Sequence, residues 1–327
     1  MKKTLSILLI VALSTLMLVG CQTTPKQPAY EPAEIRIGGL KGPTSMGMVQ
    51  LMESAEAGTA ANDYTFTISG SADEVTPKLI QGDLDIVAVP ANLASVLYNN
   101  TNKAVKLLAV NTLGVMYIVE NGNEIESFAD LKGKTIYATG KGSTPEYVLR
   151  YLFSENGLNP DTDVTISWKA EPSETVALLA QTPNSVAMLP QPYVTVAQTQ
   201  LEGLRIAIDL TKAWDDLNNG STLITGVLVV RSEFADAHPE QVAKFLDEYK
   251  VSTEYVNANI PEAAQLIEKF GIVKAAVAEK AVPYCNITYL EGAEMKTAMQ
   301  GYLDVLFQQN PKAVGGALPG DDFYYAR

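Results

Sequence analysis

Beyond Glu34 the chain alternates between two hydrophobic periods. Residues 35–37, 64–69, 85–89 and 105–110 are short, apolar and β-branched, and read as strands. Between them Met48, Leu51 and Met52, then Val75, Leu79 and Ile80, then Leu93, Val96 and Leu97 recur at helical spacing. A second set opens after residues 126–134, with strands at 135–138, 164–168 and 185–189 and helices marked by Val148, Tyr151 and Leu152 and by residues 175–180. Residues 223–231 (LITGVLVVR) form another strand, and the rest of the chain is helical, marked by Val242, Phe245, Leu246 and Tyr249 and then by Met295, Met299, Tyr302, Leu303 and Leu306. Strand and helix in alternation predict an α/β fold on mostly parallel sheet. The layout predicts two lobes, residues 34–112 with 226–327 and residues 113–225, joined by crossing strands near Leu113–Val119 and Ile224–Val230 that act as a hinge.

The first 33 residues break this rhythm. Lys2 and Lys3 precede an apolar run that ends at Gly20-Cys21, too short for a stable span, which predicts a cleaved signal peptide over residues 1–20. Leu18-Val19-Gly20-Cys21 resembles a bacterial lipobox, so Cys21 is the expected lipidated N-terminus, and residues 21–33, polar and proline-rich, are a tether. That places the folded body outside the cytoplasm, held to a membrane through the lipid alone. Cys285 is then the one remaining thiol and reads as a small core residue.

Composition narrows the chemistry. The chain of 327 residues carries 24 basic against 37 acidic side chains, and an acidic surface excludes a nucleic-acid partner, which needs a basic face. One histidine, His238, excludes a multi-histidine metal site, and it reads as the boundary of the helix that Pro239 opens. No cofactor is expected. The Gly38–Gly42 and Gly140–Thr144 segments lack nucleotide-loop spacing. Asp73 with Glu74, and Asp215 with Asp216, are adjacent pairs better read as solvated than as catalytic.

Candidate binding groups are the helix starts that follow strands. Thr44 or Ser45 is expected to cap the first helix, and Ser71 with Glu74, and Ser143 with Glu146, fit capping boxes beside Thr144. Each is explained alone by an ordinary cap. Together they point to a ligand because such loops converge at the carboxyl ends of strands. Asn92 after Pro90 is a further candidate, Tyr193 and Trp214 are read as loop aromatics able to stack a flat ligand, and Trp168 and Tyr302 are read as core.

The lipobox at Cys21, the segment Leu79-Ile80-Gln81-Gly82-Asp83-Leu84-Asp85-Ile86, the segment Ser127-Phe128-Ala129-Asp130-Leu131-Lys132-Gly133-Lys134 and the return strand Thr225–Val230 resemble, in order and spacing, the solute-binding lipoproteins of ABC importers, in the branch that binds nitrate, sulfonates, taurine and thiamine precursors. The resemblance implies a two-lobed type II periplasmic-binding fold with a helical C-terminal region. It also implies a small-molecule ligand in the cleft, and an ABC permease and its ATPase as partners. It implies no ligand identity: the candidate loops hold no arginine for a bidentate clamp, leaving helix amides, hydroxyls and Lys41 or Lys141 to meet an anion. Two alternatives stand beside it, an enzyme on the same fold acting on a pyrimidine or menaquinone precursor, and a lipoprotein that senses a solute without importing it.

Overall fold

The computed structural model describes residues 30–327; the expected signal peptide, Cys21 and most of the tether lie outside them. From Ala33 onward the chain is one compact unit. It runs through β1 (Glu34–Leu40), α1 (Pro43–Met46), α2 (Val49–Glu56), β2 (Asp63–Ser69), α3 (Ala72–Gln81), β3 (Ile86–Pro90), α4 (Ala91–Asn100) and β4 (Val105–Leu113). The second lobe continues as β5 (Met116–Glu120), β6 (Thr135–Thr139), α5 (Thr144–Glu155), β7 (Thr165–Lys169), α6 (Pro172–Gln181), β8 (Val186–Pro190), α7 (Tyr193–Gln200), β9 (Arg205–Asp209) and α8 (Leu210–Asp216). Then come β10 (Ile224–Arg231), α9 (Ser232–Ala237), α10 (Pro239–Ala258), α11 (Ile260–Lys269), α12 (Ala275–Ala281), β11 (Ile287–Leu290) and α13 (Gly292–Gln309). Among the described residues no helix is long and apolar enough to cross a membrane.

The strands form two sheets, in the orders β11-β4-β10-β3-β1-β2 and β7-β6-β8-β5-β9. Each sheet is parallel only over three strands: β1 pairs in parallel with β2 and β3, and β6 with β7 and β8. Each then accepts an antiparallel strand that arrives from the other lobe, β10 between β3 and β4, and β5 between β8 and β9. The mostly parallel sheet expected from the strand–helix rhythm is therefore corrected to two mixed sheets, because the chain crosses between them. The crossings themselves are also shorter than the strands near them. β4 ends at Leu113 and β5 begins at Met116, so the outward passage is Gly114-Val115, and the return passage is residues 217–223 ahead of β10.

Burial explains why some strands are legible and others are not. In β3, Ile86 and Ala88 face a core shared with Ile35, Ile37, Phe245 and Tyr249, whereas Val87 and Val89 face a second core. A strand buried on both sides is a continuous apolar run. The second core runs through both lobes, from Val87, Val89 and Val110 to Met116, Ile118, Ile136 and Ala138. Helix α13 seals it with Met295, Met299, Tyr302, Leu303 and Leu306, all fully buried. Burying each such side chain contributes about 1.5–3 kcal/mol, so α13 helps hold the shared core together.

The Gly82–Asp85 segment has a defined job. Gly82 ends α3 in the left-handed conformation, φ 84°, with its amide returned to the carbonyls of the last turn. Asp85, 1% exposed, then accepts from the Arg36 backbone amide (3.0 Å), Arg36 Nε (2.9 Å), Arg36 Nη2 (2.7 Å) and Arg231 Nη2 (3.1 Å). One carboxylate thus ties β1 and β10 to the start of β3. Burial alone would raise the Asp85 carboxyl, but the hydrogen bonds from Arg36 and Arg231 outweigh it and hold it below the usual carboxylate value.

Because that value is depressed by folding, Asp85 contributes stability above the unfolded value near pH 4, and the contribution is lost as pH falls through the folded one. Asp85→Asn should lower stability near neutrality by about 3 kcal/mol, the low end for a broken buried ion pair, since both guanidiniums reach solvent. Urea unfolding at several pH values checks this: the deficit of the variant should shrink as the pH drops below about 4.

Candidate functional site

The carboxyl ends of the six parallel strands point into the space between the lobes, with the loops after β1, β2 and β3 on one side and those after β6, β7 and β8 on the other. The rims meet at two places. A methyl group added at Gly70, after β2, would stand 2.7 Å from Glu171 Oε1, after β7, and 3.5 Å from Glu74 Oε1. Deeper in, Asn92 at the start of α4 bonds to Thr144 at the start of α5.

That second contact is a closed hydrogen-bond node. The Thr144 hydroxyl accepts from the Asn92 amide and from the Tyr302 hydroxyl and donates to Asn92 Oδ1, each at 3.2 Å. Asn92 Nδ2 donates to the Ala313 carbonyl at 2.8 Å. Asn92, Thr144 and Tyr302 are all fully buried. With these three bonds Thr144 Oγ1 has no capacity left for a ligand, so the two candidates the structure brings together act as a joint between α4, α5 and α13.

The helix starts differ from the expected caps. Gly42 occupies the cap position of α1, which puts Thr44 and Ser45 inside its single turn. There the Thr44 carbonyl accepts from Asn111 Nδ2 at 3.1 Å, and Ser45 Oγ is buried against Gly39 without a partner. Neither serine capping box forms. Ser71 Oγ turns to Glu74 Oε1 (3.3 Å), Ser143 Oγ to the Gly140 carbonyl (2.8 Å), and Glu146 takes the Gly142 amide (2.7 Å) and Arg150 (3.0 Å). Competing acceptors win, Glu74 one turn ahead of Ser71 and the Gly140 carbonyl one turn behind Ser143, and the first amides of α3 and α5 keep no side-chain partner.

The aromatics separate clearly. Trp214 lies inside α8, not in a loop, fully buried with ring centroids 5.0 Å from Tyr151 and 5.8 Å from Tyr302, its Nε1 donating to Ser221 Oγ at 3.1 Å. It is a core side chain and cannot stack a ligand. Tyr193, the first residue of α7, is half-buried; burial first, then the Glu171 carboxylate, pushes its phenol up. Ser71, Ser143 and Tyr193 are thus the partly exposed candidates. Gly70 and Glu171 were missed, and the only sequence signal was their place directly after strands.

The charges are largely committed. All five arginines are in ion pairs: Arg36 and Arg231 with Asp85, Arg150 with Glu146 and Asp161, Arg205 with Glu120, and Arg327 with Asp247 and Glu291. Cys285 is buried beneath α1, its thiol 3.9 Å from Met46 Sδ and pushed up by burial, away from nucleophile chemistry. His238 occupies the N-cap position of α10 without a side-chain cap bond, its ring packed on Phe234. Among the described residues no three acidic, cysteine or histidine side chains group as metal ligands.

Residues 29–268 match the model of the NMT1-like family. Solved structures of the same fold include an ABC transporter from Parabacteroides distasonis, with 24% identity over 90% of this chain and 99% of that one and a TM-score of 0.74. The periplasmic aliphatic sulphonate binding protein SsuA from Escherichia coli gives 19%, 90%, 93% and 0.72. The periplasmic nitrate-binding protein NrtA from Synechocystis PCC 6803 gives 14%, 86%, 82% and 0.66. No curated protein sequence matches the chain.

The node predicts a graded response. Tyr302→Phe removes one hydrogen bond and should lower stability by about 1 kcal/mol, whereas Thr144→Val strands three buried partners and should cost about 1–3 kcal/mol. Urea midpoints of the two variants, with unchanged transition slopes, check the order.

Proposed function

We propose that this chain, which belongs to the NMT1-like family, binds a small organic solute between its lobes outside the cytoplasm and delivers it to an ABC permease and its ATPase, closing the cleft without turnover. The observation that carries the reading is the pair of strands exchanged between the sheets. It leaves two short passages, Gly114-Val115 and residues 217–223, as the places where one lobe turns on the other. Lobe 1 comprises residues 34–112 and 226–327 in this reading, and lobe 2 residues 113–225.

The ligand meets Ser71 and the open amides of α3 from one side, and Ser143, the amides of α5 and Tyr193 from the other. Thr44 and Ser45 form the floor, and Asn92 with Thr144 holds the geometry of the joint without touching the solute. The two named relatives bind sulfonate and nitrate. Here every arginine already has a carboxylate partner, so an anion would rest on helix amides and Lys41 or Lys141. An enzyme reading finds no support in a buried, protonated Cys285 and a histidine whose ring packs on Phe234 at a helix start.

Two experiments test this. Mass spectrometry of the natively purified protein should find a retained small molecule, and small-angle scattering should show a smaller radius of gyration with it than without. A bound solute with an unchanged profile would defeat closure, and turnover of the solute would defeat the binding role. Separately, Cys21→Ser should move the protein from the membrane fraction to the soluble one in its native host; an unmodified Cys21 in the wild type would sink the anchor.

A further inference from the structure

A cavity of about 550 Å³ opens between the lobes beside the outward crossing, where the edge strand β9 and the loop after β8 of one sheet approach the turn before the edge strand β11 of the other. Tyr117, Gln191, Ile206 and Asp209 line it from the second lobe, and Lys280 and Tyr284 from the first. Its walls are fastened to the outward crossing: the Gln191 amide donates to the Val115 carbonyl at 2.9 Å, and Asn286, two residues after Tyr284, donates to the Gly114 carbonyl.

The polar groups lining this cavity keep unused hydrogen-bonding capacity. Gln191, 3% exposed, gives its Oε1 to the Thr195 hydroxyl (2.9 Å) and amide (3.4 Å), which leaves Nε2 as the free end. Tyr117, 7% exposed, makes no hydrogen bond through its hydroxyl among the described residues, and burial, with Asp209 nearby, pushes its phenol up to about 12, so it is a donor. Lys280 has no ion-pair partner among the described residues. Asp209 accepts the first amides of α8 through Oδ1 (2.9 and 3.2 Å), so Oδ2 is its remaining acceptor. Beside these groups stand two exposed apolar side chains, Ile206 at 40% and Tyr284 at 58%.

Three donors, one carboxylate oxygen and an apolar wall around one open cavity match a zwitterion with an apolar body. We propose that this inter-lobe cavity binds a free α-amino acid with an apolar side chain, its carboxylate held by Lys280, Gln191 and Tyr117, its ammonium by Asp209, and its side chain against Ile206 and Tyr284. The site adjoins the proposed cleft at the loop after β8 but rests on other residues, so its test is read apart from the cleft's. Because its walls belong to different lobes, an occupant biases the angle between them, and by linkage lobe closure changes its affinity by the same factor.

Calorimetric titration of the full chain with L-phenylalanine tests this, with phenethylamine, which lacks the carboxylate, and 3-phenylpropionate, which lacks the ammonium, as controls. Saturable binding of the amino acid, weaker binding of both controls, and a roughly ten-fold loss in Lys280→Gln and in Tyr117→Phe are expected. Lys280 is exposed, so its variant decides the matter if Tyr117→Phe fails to fold. Absence of saturable binding at millimolar concentration, or equal affinity in wild type and Lys280→Gln, overturns the proposal. Retention of the cleft solute by Lys280→Gln is read separately, so failure at one site does not pass for failure at the other.

Discussion

Each sheet is completed by a strand that comes from the other lobe, and a strand bonded on both edges cannot move without breaking two ladders. β10 is held between β3 and β4, and β5 between β8 and β9, so neither is a flexible connector. In the proposed closure, motion falls on Gly114-Val115 and residues 217–223. The position of the cleft is a consequence, because the free carboxyl ends of the parallel strands all lie to one side of those passages. The inter-lobe cavity lies beside the same passages, lined by β9, by the loop after β8 and by the turn before β11. Helix α13 adds a further restraint, its apolar face buried in a core drawn from both lobes.

Buried charge is used to pin strand ends and not to hold ligand. Asp85 gathers Arg36 and Arg231 at the start of β3, and Glu120, 1% exposed at the end of β5, accepts Arg205 Nη2 at 2.6 Å together with the Glu124 amide at 2.7 Å. In both lobes a carboxylate fixes the strand that sits beside a crossing. These pairs are worth keeping for placement more than for energy, since desolvation offsets much of their attraction. In the proposed cleft this leaves helix amides, hydroxyls, a phenol and Lys41 or Lys141 to meet a solute.

The fold was legible where burial is two-sided and continuous, as in residues 86–89 and 224–230, and where one residue type is obligatory, as with Gly82 and Asp85. The membership expected from the order of those segments holds. Arg205–Asp209 and Ile287–Leu290 were not read as strands, because an edge strand mixes exposed and buried positions without strict alternation. At the site, local reasoning named Ser71 and Ser143 but assigned them caps that neighbouring carbonyls and carboxylates displaced. The node of Asn92, Thr144 and Tyr302 joins residues 52 and 158 positions apart, beyond any local pattern. Trp214 was misplaced for a related reason: only the packing of α5 and α13 over α8 reveals it as core.

The strand exchange also sets an order for biosynthesis. Chains emerge N-terminus first and domains fold as units, yet β3 and β4 cannot be joined until Ile224–Arg231 exists, although both precede it by a whole lobe. The second sheet needs nothing beyond Asp209 to have all five of its strands. The middle of the polypeptide is therefore the first part able to close a sheet, while the N-terminal strands wait as an open parallel trio. The core common to both lobes waits longer still, for α13, and until then the emerging chain stays unlocked.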